Sequence, residues 1–186
     1  MELYRHAQDE IDKTLAAVTP SGWDTPSTCP GWTVRDVAGH VIWGQLQLRA
    51  WATGEADPSP AGAPGTPHPA VLAGDDPLAT WRSARASADA VLTPETLART
   101  TTISGMGEVP VAAVVGLLVC DLTTHTWDMG HALGQEVRLP AELVAASDDW
   151  ARAHVVRAPG FFGPELPAPP DADAQTRMLA FLGRTA

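Results

Sequence analysis

Asp121 and His125 stand four residues apart in a mostly apolar stretch, Val111 to Leu133. A second such stretch, Val34 to Ala52, carries His40 at mid-length. Residues at i and i+4 share one face of a helix. A carboxylate and an imidazole there, facing a third ligand on a neighbouring helix, make a two-His, one-carboxylate metal site with coordination positions left open for chemistry. Each residue also has a plainer reading. A lone histidine on an apolar face is often a hydrogen-bonded core residue, and an Asp-x-x-x-His pair is a common helical contact. A buried carboxylate does need a cation, a hydrogen bond or a proton to offset its burial.

Asp128, three residues beyond His125, either orients that histidine from behind or pairs with an arginine. His131 sits near a helix end, where a cation complements the dipole. His6, His68 and His154 show no partner pattern. Cys120 is roughly 100° around the helix from Asp121, which makes it a packed thiol rather than a partner in the same site. Trp32, Trp43 and Trp127 lie close in sequence to the candidate ligands and are expected to wall a pocket or simply fill the core.

The elements that must position these groups follow from periodicity and punctuation. Leu3, Ala7, Ile11, Leu15 and Val18 recur at helical spacing, and Pro20-Ser21-Gly22 ends that first helix. Cys29-Pro30-Gly31-Trp32 reads as a turn, followed by Thr33 as an N-cap with Asp36 in the capping-box position. The second helix runs to about Ala52 and stops at Gly54. On it, Val37, His40, Val41, Gly44 and Leu48 form one stripe, and Gly44 leaves room for something bulky. Glu55 to Gly74 is rich in proline and glycine and long for a loop, so it is either a lid or a surface spacer. Asp76 caps and Pro77 begins a third helix, carrying Leu78, Trp81, Ala84, Arg85, Ala88 and Val91. Arg99 to Glu108 reads as a small hairpin broken at Ser104-Gly105-Met106-Gly107. Pro110 opens a fourth helix that ends at Gly134. Pro140 opens a fifth, reaching about Val156 before Pro159-Gly160. An extended tail over 161–170 and a last helix over 174–182 complete an all-α bundle in one domain, 1–186.

The chain has 186 residues, a net charge of -10 and two cysteines. Two cysteines are too few for a disulfide framework, so reduced thiols in the cytoplasm are expected. No signal-peptide pattern opens the chain, and Val109 to Cys120 is too short to cross a bilayer. With Lys13 as the one lysine and scattered arginines, nucleic acid is excluded as a partner. A local anion site would fall to Arg35, Arg49, Arg82 or Arg85, each of which is otherwise a surface charge.

The segment Cys29-Pro-Gly-Trp-Thr-Val-Arg-Asp-Val-Ala-Gly-His40 resembles the Pro-Gly-Trp-x-x-x-Asp-x-x-x-His signature of the DinB/YfiT-like superfamily. More closely, it is similar to the N-terminal, metal-binding domain of mycothiol-dependent maleylpyruvate isomerases. Asp121-Leu-Thr-Thr-His125-Thr-Trp-Asp128 resembles the second motif of that family. Phe162-Gly-Pro-Glu-Leu-Pro, with 175–184, is similar to single-domain actinobacterial members.

The resemblance implies a DinB-like up-down four-helix bundle with additional short helices, holding a divalent metal through His40, Asp121 and His125. Zinc is the expected ion, with iron, nickel or manganese as alternatives, and mycothiol is the expected cosubstrate. The isomerase has Glu where Asp121 stands and a C-terminal domain without counterpart here, so isomerisation of maleylpyruvate itself is not expected. A small-molecule substrate and a homodimer are. The readings left open are a thiol transferase or isomerase, a hydrolase, an iron(II) oxygen enzyme, and a non-catalytic ligand-binding bundle.

Overall fold

The computed structural model describes residues 1–56, 58–103, 107–157 and 161–186. The helices are α1 (Glu2–Ala17), α2 (Val34–Thr53), α3 (Pro77–Asp89), α4 (Pro94–Leu97), α5 (Val111–Ala132), α6 (Ala141–His154) and α7 (Ala174–Phe181). Short 3-10 turns occupy Pro20–Asp24, Pro60–Gly62 and Pro69–Leu72. Strands β1 (Thr100–Ile103) and β2 (Gly107–Pro110) pair antiparallel, Thr100 opposite Pro110. The expected hairpin is therefore present, while its break at 104–106 lies outside the described residues, as does the stop at 159–160.

Four helices close a ring: α1 packs on α5 and α3, and α2 packs on the same two. Their apolar stripes meet in one core, with Tyr4, Ile11 and Leu15 of α1, Val37, Val41 and Leu48 of α2, Trp81 of α3, and Val114, Leu118 and Leu122 of α5. A second cluster joins Cys120 and Trp127 of α5 to Val144 and Ala151 of α6 and Met178 and Leu179 of α7. Helix α5 is thus covered on both sides, which is why it reads as apolar nearly all round. The all-α DinB-like fold is the one expected from sequence.

The terminal signals act as anticipated. The Thr33 hydroxyl accepts from the Asp36 amide, the Asp36 carboxylate accepts from the Thr33 amide, and Gly54 closes α2 at φ 77°. Asp76 caps α3 through the Ala79 amide. The expectations differ at α4, a single capped turn too short for periodicity to show, and at the ends of α3 and α6. Those two helices stop at Asp89 and His154 rather than at Val91 and Val156.

Candidate metal centre

Two helices and one loop bring the sequence-selected residues together. His40 lies on the buried face of α2, and Asp121 and His125 lie on the facing side of α5; the two histidines are 5% and 7% exposed. The Nε2 atoms of His40 and His125 sit 3.4 and 3.5 Å from the same atom, Asp121 Oδ1. These separations exceed a good hydrogen bond. They match the edge of a coordination tetrahedron, since donors about 2.0–2.1 Å from a zinc ion lie roughly 3.3 Å apart. All three ligand atoms fall within 4.8 Å of one another.

Each imidazole is anchored through its other nitrogen. His40 Nδ1 donates to the Gly62 carbonyl at 2.7 Å, and His125 Nδ1 donates to Asp128 Oδ2 at 2.9 Å. With both Nδ1 atoms committed as donors, Nε2 is the nitrogen that each ring turns to Asp121 and the one left to bind a metal once it gives up any proton. The donor set therefore fits a borderline divalent ion.

The loop reaches His40 because the start of α2 holds it. Asp36 Oδ1 accepts from the Ala70 amide at 3.1 Å, and a Cβ on Gly39 would lie 1.9 Å from the Pro69 carbonyl oxygen. Gly62 is equally tight, since a Cβ there would meet Trp43 Cβ at 2.1 Å. Small residues on both surfaces let backbone approach helix, and the Gly62 carbonyl lands on His40.

Electrostatics favour charge at the centre. Burial would push the Asp121 carboxyl up, but the charges of His125 and His40 hold it well below the usual carboxylate range. For His125, burial pulls down while the charge of Asp121, and bonds to Asp121 and Asp128, raise it well above the ordinary value. Without a metal, His125 keeps a proton that an entering ion would displace. Asp128 is fully buried, yet Arg184 and His125 hold it low against that burial. Cys120, by contrast, is pushed up to about 12, first by burial and then by Asp121, and stays a protonated core thiol.

A cavity of about 1040 Å³ opens over the three candidate ligands. Its walls are the turn 28–32, the loop 64–68, Arg157, and the C-terminal residues 161–164 and 182–184. Among the described residues, Asp121 is the only carboxylate lining it, against Arg157 and Arg184. Trp32 lines it and tilts against His40, while Trp43 stacks on His40 from outside the lining. Trp127 does not reach it: two residues from His125, it points to the α6–α7 side and stacks on His131. Gly44 leaves room for a methyl but for nothing bulky, because Leu118 Cδ2 lies 3.5 Å from where a Cβ would stand. His6 pairs with Glu142, and His154 lies against Trp150.

None of the four arginines offered from sequence lines the cavity. Arg35 donates to the Gly74 carbonyl, and Arg49, Arg82 and Arg85 pair with Glu55, Asp12 and Asp9. Sequence reasoning passed over Cys29, whose Sγ is 3.4 Å from Asp128 Oδ2 and 3.9 Å from His125 Nδ1. It also missed Thr28, His68, Arg157 and Arg184. Cys29 opens the first motif, the one signal that marked it. Cys29, His125 and Asp128 form a second group of close donors. Arg184 already supplies the cation there, pairing with Asp128 Oδ2 at 2.9 Å, so the first group is the better metal site.

In this DinB-like bundle a carboxylate and two imidazoles converge under an open cavity, a donor set that could hold a metal ion. The sequence matches the model of the mycothiol maleylpyruvate isomerase N-terminal domain over residues 4–130. The chain belongs to this family, which relates it to mycothiol and metal binding. Two uncharacterised proteins of Mycobacterium tuberculosis, from strains CDC 1551 and H37Rv, are each 31% identical over 188 residues, covering 98% of this chain and 96% of theirs. No solved structure matches. Among the described residues, no helix is long and apolar enough to cross a membrane.

Proposed function

We propose that this chain is a metal-dependent enzyme that activates a low-molecular-weight thiol, mycothiol in the first instance, for transfer to or isomerisation of a small electrophile. His40, Asp121 and His125 would hold one divalent ion, zinc foremost. The observation that carries the reading is the pair of Nε2 atoms converging on one carboxylate oxygen while both Nδ1 atoms are tied back. When bound, such an ion lowers the pKa of a coordinated thiol and stabilises its thiolate at neutral pH.

The chain's own residues supply the rest. His40 and His125 keep their lone pairs aimed at one point because Gly62 and Asp128 hold their rings. Trp32 and the turn 28–32 wall one side of that point. Arg157, which among the described residues hydrogen-bonds only to the Gly163 and Phe181 carbonyls, biases the cavity towards anionic groups. A cavity of about 1040 Å³, at the upper end of the range for small-molecule sites, gives a low-molecular-weight thiol access to that point.

The test uses protein loaded with cobalt(II) and titrated with mycothiol. A thiolate-to-cobalt charge-transfer absorption should appear in wild type and be missing in His40→Ala. Turnover of ester or amide substrates in thiol-free buffer, with no such absorption, would mark a hydrolase instead. Neither absorption nor turnover would favour a non-catalytic binding bundle.

A further inference from the structure

We propose that Arg184 is a positioning residue for His125, acting through Asp128, so that the last turn of the chain is part of the metal centre; this rests on the metal-site reading above. Arg184 lies far beyond residues 4–130 that match the family.

The local structure aims it. Helix α7 ends in a Schellman pattern: the Gly183 amide donates to the Ala180 carbonyl at 3.0 Å and the Arg184 amide to the Leu179 carbonyl at 2.8 Å. Gly183 takes φ 82°, and a Cβ there would meet the Pro164 carbonyl oxygen at 3.0 Å, so glycine suits this turn. The turn sends the next side chain back across the bundle to α5. There Arg184 Nε and Nη2 meet Asp128 Oδ1 and Oδ2 at 3.2 and 2.9 Å, a two-pronged match of guanidinium to carboxylate. Arg184 Nη1 is fixed in turn on the Leu182 carbonyl at 2.8 Å, and the guanidinium lies over the Phe162 ring.

Asp128 Oδ2 accepts from His125 as well as from Arg184. A single-bonded carboxylate swivels, whereas one gripped at both oxygens has a fixed plane. Thr28 also donates to Oδ1 and the Cys29 thiol to Oδ2. Among the described residues Arg184 alone spans both oxygens with one planar group, so position 184 fixes the plane in which Oδ2 meets His125 Nδ1 and with it the aim of His125 Nε2. The side chain also covers Asp128, which is fully buried, from the cavity it lines.

A purely tertiary tie between α7 and α5 would affect melting alone, so the test reads the histidine and the metal. Arg184→Ala, Arg184→Lys, Asp128→Asn and the double variant with Arg184→Ala are titrated with zinc against a chelator, and thermal melts are recorded alongside. Arg184→Ala should weaken zinc about tenfold, the lower end for second-sphere partners of a ligand histidine, with Arg184→Lys between it and wild type. In the Asp128→Asn background, Arg184→Ala should cost nothing further. In metal-free protein, the low-field Nδ1–H proton of His125 should be sharp in wild type and broadened by water exchange in Arg184→Ala.

Unchanged zinc affinity and an unchanged proton, with only the melt lowered, would overturn the proposal. So would an equal loss in both backgrounds. If wild type takes up no zinc, the metal-site reading fails, and the His125 proton decides the role of Arg184 by itself.

Discussion

His40 and His125 present the same nitrogen to the same carboxylate oxygen, yet the two sides of the site hold them by different physics. On the α2 side the anchor is a neutral backbone carbonyl, Gly62, delivered by a loop packed so closely that Gly39 and Gly62 have no room for a Cβ. On the α5 side the anchor is a buried, ionised Asp128 that Arg184 and Thr28 also engage. One imidazole is positioned by packing and the other by charge. The His40 side should thus be sensitive to volume and indifferent to charge, and the His125 side the reverse.

The largest expected effect lies on the charged side. Asp128→Asn keeps the shape, loses the charge that complements His125 and Arg184, and offers His125 Nδ1 either an amide NH₂ or a weaker acceptor. Zinc affinity should fall about 10–100-fold, read by chelator competition. A change under twofold would mean that His125 needs no charged anchor. Next comes Gly62→Ala, which adds one methyl where Trp43 Cβ would lie 2.1 Å away. The loop must shift, with a cost of about 1–3 kcal/mol in stability by denaturant titration, and zinc binding should weaken as His40 loses its carbonyl. An unchanged protein would show that the loop does not hold His40.

A smaller effect follows from pH. His125 is raised above its ordinary 6.5, so its contribution to the stability of metal-free protein is complete below that value and is lost as pH rises through the folded value. Asp121 and Asp128 are lowered, so theirs is present above about 4, near the ordinary carboxylate value, and lost only in stronger acid. An ion must displace the His125 proton. The rise in melting temperature on adding zinc should therefore grow from about pH 6 to about pH 8. A rise that shrinks over that range would contradict the assignment.

The smallest effect separates two glycines of α2. A Cβ on Gly44 meets only Leu118 Cδ2, at an ordinary 3.5 Å. Gly44→Ala should stabilise the fold by about 0.5–1 kcal/mol through helix propensity, with metal uptake unchanged. Gly39→Ala, against the Pro69 carbonyl, should destabilise it.

What was legible in the sequence was what helical periodicity encodes. Asp121, His125 and Asp128 share a face by spacing alone, and His40 sits in a stripe whose cap and stop residues mark the helix around it. The bundle follows from the same stripes. What was not legible acts across long separations or through backbone. Gly62 contributes a carbonyl that no residue type announces, and its reach depends on the close approach at Gly39. Arg184 is 56 residues from Asp128 and is aimed by a glycine turn rather than by a motif. The four arginines singled out were found elsewhere because nothing in their spacing says which surface they cover. Trp127 was placed near the site by adjacency in sequence, but two residues along a helix reverse the side it faces.

The central claim is that His40, Asp121 and His125 hold a divalent ion. The most direct measurement is the elemental content of protein purified without chelator or metal-affinity resin, beside His125→Ala with its folding checked by circular dichroism. The account predicts about one zinc or similar ion per wild-type chain and none in the folded variant. No metal in wild type, even after reconstitution, or equal metal in both, would contradict it.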